Sequence, residues 1–169
     1  MQPEQARFLL DLMLPQLKQE SATTRKVLAA VPADKGDYRP HPVSKSALEL
    51  AWHLASSEYW FLDCIIQGRF SSEGGGMPEQ IRTPADVTAW YEQNVPPLIE
   101  RLAGLSDDEL LRPIPFFGMV EWPAVSYLLW HIVHAVHHRG QLSAYLRPMG
   151  GRVPSIYGGS ADEPLQPPA

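Results

Sequence analysis

The stretch His131-Ile132-Val133-His134-Ala135-Val136-His137-His138-Arg139-Gly140-Gln141 holds four of the six histidines of this 169-residue chain within eight positions. It lies in a segment, Trp122 to about Leu146, whose apolar spacing predicts a helix, opened by Pro123 and closed by Pro148, Gly150 and Gly151. Two imidazoles four residues apart on a helix share a face and sit close enough to grip one metal ion. His134 and His138 have that spacing. On a wheel with His131 at zero, His138 lies near −20°, His134 near −60° and His137 near −120°. Ala135, Leu128, Leu142 and Leu146 mark the core side at about 20° to 60°. His138 therefore turns inward, His134 sits at the core's edge and His137 points sideways. His131 shares the face of His138 but lies seven residues away, roughly 10 Å along the axis and too far for one ion.

Two ligands hold a metal weakly, so a third is expected from another helix. The pattern Leu50, His53, Ser57, Trp60, Cys64 follows 3–4 spacing and places His53 on an inward face. Ser57 is small and leaves room beside that imidazole. Glu49, one turn earlier, either caps its helix or accepts a hydrogen bond from a ligand's far nitrogen. Cys64 is 11 residues beyond His53, roughly 16 Å along the axis, and reads as a small buried residue.

Working outward, the chain shows four long helical segments. The first runs from about Pro3 to Ala30, with Phe8, Leu9, Leu12 and Leu17 at helical spacing and Pro15 expected to bend it. Val31 to Val43 is an irregular connector, with His41 between two prolines. The second helix starts at the capping box Ser46-Ala47-Leu48-Glu49 and ends near Gly68. Ser71 to Arg82 is a glycine-rich loop that lacks the Lys-Ser/Thr ending of a phosphate-binding loop. Thr83-Pro84 opens a third helix with Val87, Trp90, Tyr91, Leu98 and Leu102, and Pro96-Pro97 is expected to kink it. Ser106-Asp107-Asp108-Glu109 caps a short turn, and residues 112–121 allow a short hairpin. These features predict an all-α fold, a four-helix bundle with long, unequal connections over residues 1–158, followed by an irregular tail at 159–169.

Composition narrows the function. The net charge of −5, the pI near 5.6 and the lack of a Lys/Arg cluster argue against a nucleic-acid partner. No apolar run approaches the roughly 18 residues of a membrane span, and the N-terminal residues do not read as a signal peptide. One cysteine cannot form an internal disulfide, which fits a cytoplasmic location.

Ala51-Trp52-His53-Leu54-Ala55, His134-x3-His138-Arg139-Gly140-Gln141-Leu142, Tyr145-Leu146-Arg147 and Val153-Pro154-Ser155-Ile156-Tyr157-Gly158 resemble the DinB/YfiT-like superfamily over roughly residues 5 to 158. The resemblance implies a four-helix bundle with a long crossover connection and a metal triad at His53, His134 and His138. It also implies one divalent transition metal per chain, zinc or nickel, and a homodimer. The activity it favours is a metal-dependent thiol S-transferase that joins a low-molecular-weight thiol to a small electrophile. A metal-dependent hydrolase and a non-catalytic, metal-stabilised binding or sensor bundle are the alternatives. Beyond the triad, Arg139 is expected to pair with a carboxylate or cap a loop, and Gln141 to orient a loop or a ligand. Gly140 is expected to admit a close helix, Tyr145 to line the cavity or pack in the core, and His131 and His137 to lie behind the site or on the surface.

Overall fold

A computed structural model describes residues 1–72 and 76–165. Residues 73–75 of the glycine-rich loop and the last four residues of the tail fall outside that description. Four long helices dominate: α1 (Pro3–Ala29), α2 (Ala47–Gln67), α3 (Pro84–Ala103) and α5 (Tyr127–Leu146). Between α3 and α5 lie the short helix α4 (Asp107–Leu111) and an antiparallel hairpin, β1 (Pro113–Phe116) with β2 (Val120–Pro123).

Local chemistry sets the helix ends. At the start of α2 the Ser46 hydroxyl accepts the Glu49 N–H at 3.1 Å and the Glu49 carboxylate accepts the Ser46 N–H at 2.7 Å, satisfying two backbone donors left free by the first turn. Thr83 with Asp86, and Ser106 with Glu109, repeat the arrangement on α3 and α4. At the far end of α2, Gly68 adopts φ 73° and the Arg112 guanidinium packs where a β-carbon would stand. Arg112 donates to the Ile66 carbonyl at 3.1 Å, closing α2 and tying it to the hairpin. α1 continues through Pro15, and α3 through Pro96 and Pro97, so each loses a ladder bond without ending there.

Both α1 and α2 pack against α3 and α5, which puts α1 and α2 on one diagonal of the bundle and α3 and α5 on the other. Consecutive helices α1 and α2 are therefore not lateral neighbours, and the 17 residues between them cross the bundle end. The core is built from Leu10, Leu17 and Leu28 of α1, Leu54, Leu62 and Ile65 of α2, Val87, Val95 and Leu102 of α3, and Leu128, Leu142 and Leu146 of α5, each at most 1% exposed.

Two local expectations change. The inward stripe of α1 runs through Ala6, Leu10 and Leu17, while Phe8 and Leu12 face outward, 64% and 61% exposed. The last helix starts later than its sequence pattern suggests. Trp122 and Pro123 end β2, where they pair with Ile114 and Pro113, and a 3-10 turn (Ala124–Ser126) leads into α5. Pro123 has no N–H to give, so the hairpin stops there, and the Ala124 N–H bonds the Arg112 carbonyl at 3.0 Å.

Candidate metal centre

The packing of α2 against α5 brings His53, His134 and His138 together. Each offers one ring nitrogen, and the three nitrogens lie within 4.8 Å of one another. His53 Nε2 and His138 Nε2 are 3.1 Å apart. The ring centroids are separated by 4.3 Å (His53–His138), 4.4 Å (His134–His138) and 5.6 Å (His53–His134). Nitrogens bound to one tetrahedral zinc at 2.0–2.1 Å stand roughly 3.3 Å apart, so the closest pair already has that spacing. All three side chains are half-buried and so accessible from one side.

Their electrostatics suit a cation. Burial, reinforced by the neighbouring His138 and then by Lys45, pushes His53 down to about 4. Burial, and then His138, His53 and His137, push His134 down to about 4. Burial lowers His138 as well, partly opposed by its hydrogen bond to Gln141. The three rings are thus neutral at pH 7, the state in which imidazole ligates. Among the described residues no carboxylate or thiolate joins the group, and the exposed Lys45 is a cation close to it.

Gln141 settles one tautomer. Its amide nitrogen donates to His137 Nε2 at 3.0 Å, so its Oε1 accepts from His138 Nδ1 at 2.9 Å. His138 then carries its proton on Nδ1 and leaves Nε2 bare toward His53. This is the outer support that metal-binding histidines commonly have, supplied here by an amide. Glu49, the acceptor considered from sequence, instead completes the cap of α2 and pairs with Arg39 at 2.9 Å.

The remaining residues sort clearly. His137 is exposed and touches the site through Gln141. His131 is 1% exposed, with both ring nitrogens unpartnered, and burial pushes it down to about 3; it stands behind the group rather than in it. His41 lies on an exposed loop, and Cys64 is buried as a free thiol. Tyr145 is half-buried, edge-on to Tyr38, with its hydroxyl donating to the Lys45 carbonyl at 3.4 Å. Gly140 faces open space, so no helix approaches it. Arg139 turns away from the histidines into the core, where it pairs with Glu20.

Comparison with known proteins agrees with this architecture. The DinB family profile matches residues 3–167. The chain is 27% identical over 130 residues to the uncharacterized protein YjoA of Bacillus subtilis (strain 168), covering 75% of this chain and 82% of YjoA. A shorter match, 40% over 58 residues, covers 34% of this chain and 34% of the uncharacterized protein YrdA of the same organism. The crystal structure of YjoA, a DinB-like protein, superposes with a TM-score of 0.71 at 23% identity, covering 86% of this chain and 97% of that one. A DinB-like protein from Bacillus cereus ATCC 10987 gives 0.72 at 22% identity, covering 86% and 95%. These two structures share the fold.

Proposed function

The chain belongs to the DinB family, and on that premise we propose that it is a metal-dependent thiol S-transferase in which His53, His134 and His138 hold one divalent ion, zinc or nickel. The observation that carries this reading is the convergence of three neutral, half-buried imidazoles, without a carboxylate, on one accessible point. A divalent ion bound there supplies a Lewis acid that lowers the pKa of a thiol or a water placed against it. Three uncharged ligands leave the ion's full positive charge available to an anionic partner. Lys45, exposed and close enough to depress His53 and His138, adds to that field. Gln141 fixes the ring of His138, while Phe61, 5.4 Å from the ring of His134, covers the inner side of the site. In the reaction, the thiol proton passes to solvent, the thiolate sulfur attacks an electrophilic carbon to form a C–S bond, and the carbon's bond to the leaving group breaks with its electron pair leaving on that group.

Metal content of freshly purified protein, measured by ICP-MS beside a His53→Ala/His138→Ala variant, tests the site. Close to one zinc or nickel per chain is expected, lost in the variant. Transfer of a small thiol to 1-chloro-2,4-dinitrobenzene is then expected to stop on chelation and return with added metal. Failure to take up metal, even on reconstitution, would overturn the reading. Stoichiometric metal without thiol transfer, but with hydrolysis of an activated ester, would move the assignment to a hydrolase.

A further inference from the structure

The hairpin carries a bulky residue where the backbone disfavours one. The Met119 N–H bonds the Phe116 carbonyl at 3.0 Å across a turn whose central residues, Phe117 and Gly118, have φ 49° and 75°. Two positive φ values in succession are the pattern of a type I′ turn, which favours Asn-Gly, and a bulky residue at the first position is strained. Phe117 stays 51% exposed although its ring touches Phe116 at a centroid distance of 5.0 Å and Trp60. A strained residue that leaves half of its ring in solvent points to a use for the side chain.

The surroundings indicate that use. The Phe117 ring lies within 5° of parallel to half-buried Trp60 of α2, at a centroid distance of 6.4 Å. Trp60 is packed 4.9 Å from Phe61, which in turn lies 5.4 Å from His134. Across from them Trp130, one helical turn before His134, packs 4.6 Å from Phe116. Trp60 stands two turns beyond His53 on the same face of α2, roughly 10 Å along the axis, and the small, half-buried Ser57 lies between them. An aromatic shelf of half-buried Trp60 and exposed Phe117, backed by buried Phe61, thus leads from the three histidines to the tip of the hairpin.

We propose that this shelf binds the flat aromatic part of the electrophile, with Phe117 and Trp60 stacking on its ring and the reactive carbon directed to the histidines. The proposal rests on the S-transferase reading for the identity of the occupant, but binding to the shelf does not need the metal. Phe117 and Trp60 are specificity-determining residues in this scheme.

Calorimetric titration with 2-naphthalenemethanol, beside the non-aromatic cyclohexylmethanol, tests it on metal-free protein. Saturable binding of the naphthyl probe is expected for the wild type, with cyclohexylmethanol at least fivefold weaker. Phe117→Asn suits the turn and is expected to keep or raise the unfolding temperature, yet to weaken the probe at least fivefold. Phe117→Tyr is expected to retain it. No saturable binding by the wild type, or unchanged affinity in Phe117→Asn, would overturn the shelf and leave the metal reading standing. A failure of metal loading would leave this titration unaffected.

Discussion

His138 and Arg139 are neighbours in sequence, yet α5 sends them to opposite kinds of environment. His138 joins two other neutral rings at an accessible point where, among the described residues, no carboxylate or thiolate joins them. Arg139, about 100° around the helix, enters the interior and is 1% exposed. There it donates to the Glu20 carboxylate, the Glu20 carbonyl at 2.9 Å, Thr24 and the Tyr157 hydroxyl, which itself donates to Glu20 at 2.8 Å. Nearby, the Tyr91 hydroxyl donates to Glu58 at 2.8 Å and lies 2.8 Å from the Ser21 hydroxyl. This polar cluster ties α1, α2, α3, α5 and the C-terminal segment to one another, with its one charged pair matched internally. A charged pair matched inside the chain holds a bundle together, whereas ring nitrogens gathered at an accessible point are what a ligand can use.

Substitutions that break one region should spare the other. Arg139→Ala strands the buried Glu20 carboxylate and is expected to cost about 3–5 kcal/mol, read as a lower denaturation midpoint with metal content per folded chain unchanged. Adding Glu20→Gln should recover part of the loss.

The two regions also answer pH with opposite sign. Burial raises Glu58 to about 7, opposed by hydrogen bonds from Tyr91 and Thr24 and by Arg139. The folded state therefore binds more protons than the unfolded state between about pH 4.5 and 7, and stability from this group falls as pH rises through that window. His53 and His134, lowered to about 4, bind fewer protons folded than unfolded between about pH 4 and 6.5, so their contribution rises with pH there. In metal-free protein, Glu58→Gln should steepen the rise of stability from pH 4.5 to 7, by up to about 3 kcal/mol across the window. His53→Ala/His138→Ala should flatten it. Thermal unfolding of the three proteins across pH 4 to 8 compares the slopes; equal slopes would refute the contrast.

Smaller effects sharpen the boundary of the site. Gln141→Leu removes the acceptor for His138 Nδ1 and is expected to weaken zinc affinity about 10- to 100-fold in a competition titration. His137→Ala, which removes a ring packed 4.8 Å from His138 and a partner of Gln141 but none of the three converging imidazoles, should change it by less than about tenfold.

The long helices, their serine and threonine caps and the inward faces of α2 and the last helix were all legible in the sequence, because periodicity and capping are local codes. The same wheel that turned His138 inward left Arg139 either a carboxylate partner or a loop to cap, and Glu20 supplies the carboxylate. What local patterns could not supply was which apolar residues of α1 find a neighbour. Phe8 and Leu12 keep helical spacing but face outward, because Ala6, Leu10 and Leu17 meet the other helices. Nor could they show that Trp122 and Pro123 belong to a strand, since that depends on pairing with Ile114 and Pro113. The bonds from Glu20 to Arg139 and Tyr157 join residues 119 and 137 positions apart, a separation at which spacing carries no signal. Gln141 was placed beside the site, but its role needed the positions of both neighbouring imidazoles.

His53 and His138 are separated by 85 residues in sequence and meet at 3.1 Å. The pair on α5 can form as soon as that helix does, whereas His53 joins only when α2 has docked. An ion that grips all three recognises the assembled bundle alone, and stabilises it by an amount that grows with free metal, about 4 kcal/mol at a thousandfold excess over Kd. The lifetime of the folded chain would then follow metal supply, with starvation exposing it to proteolysis.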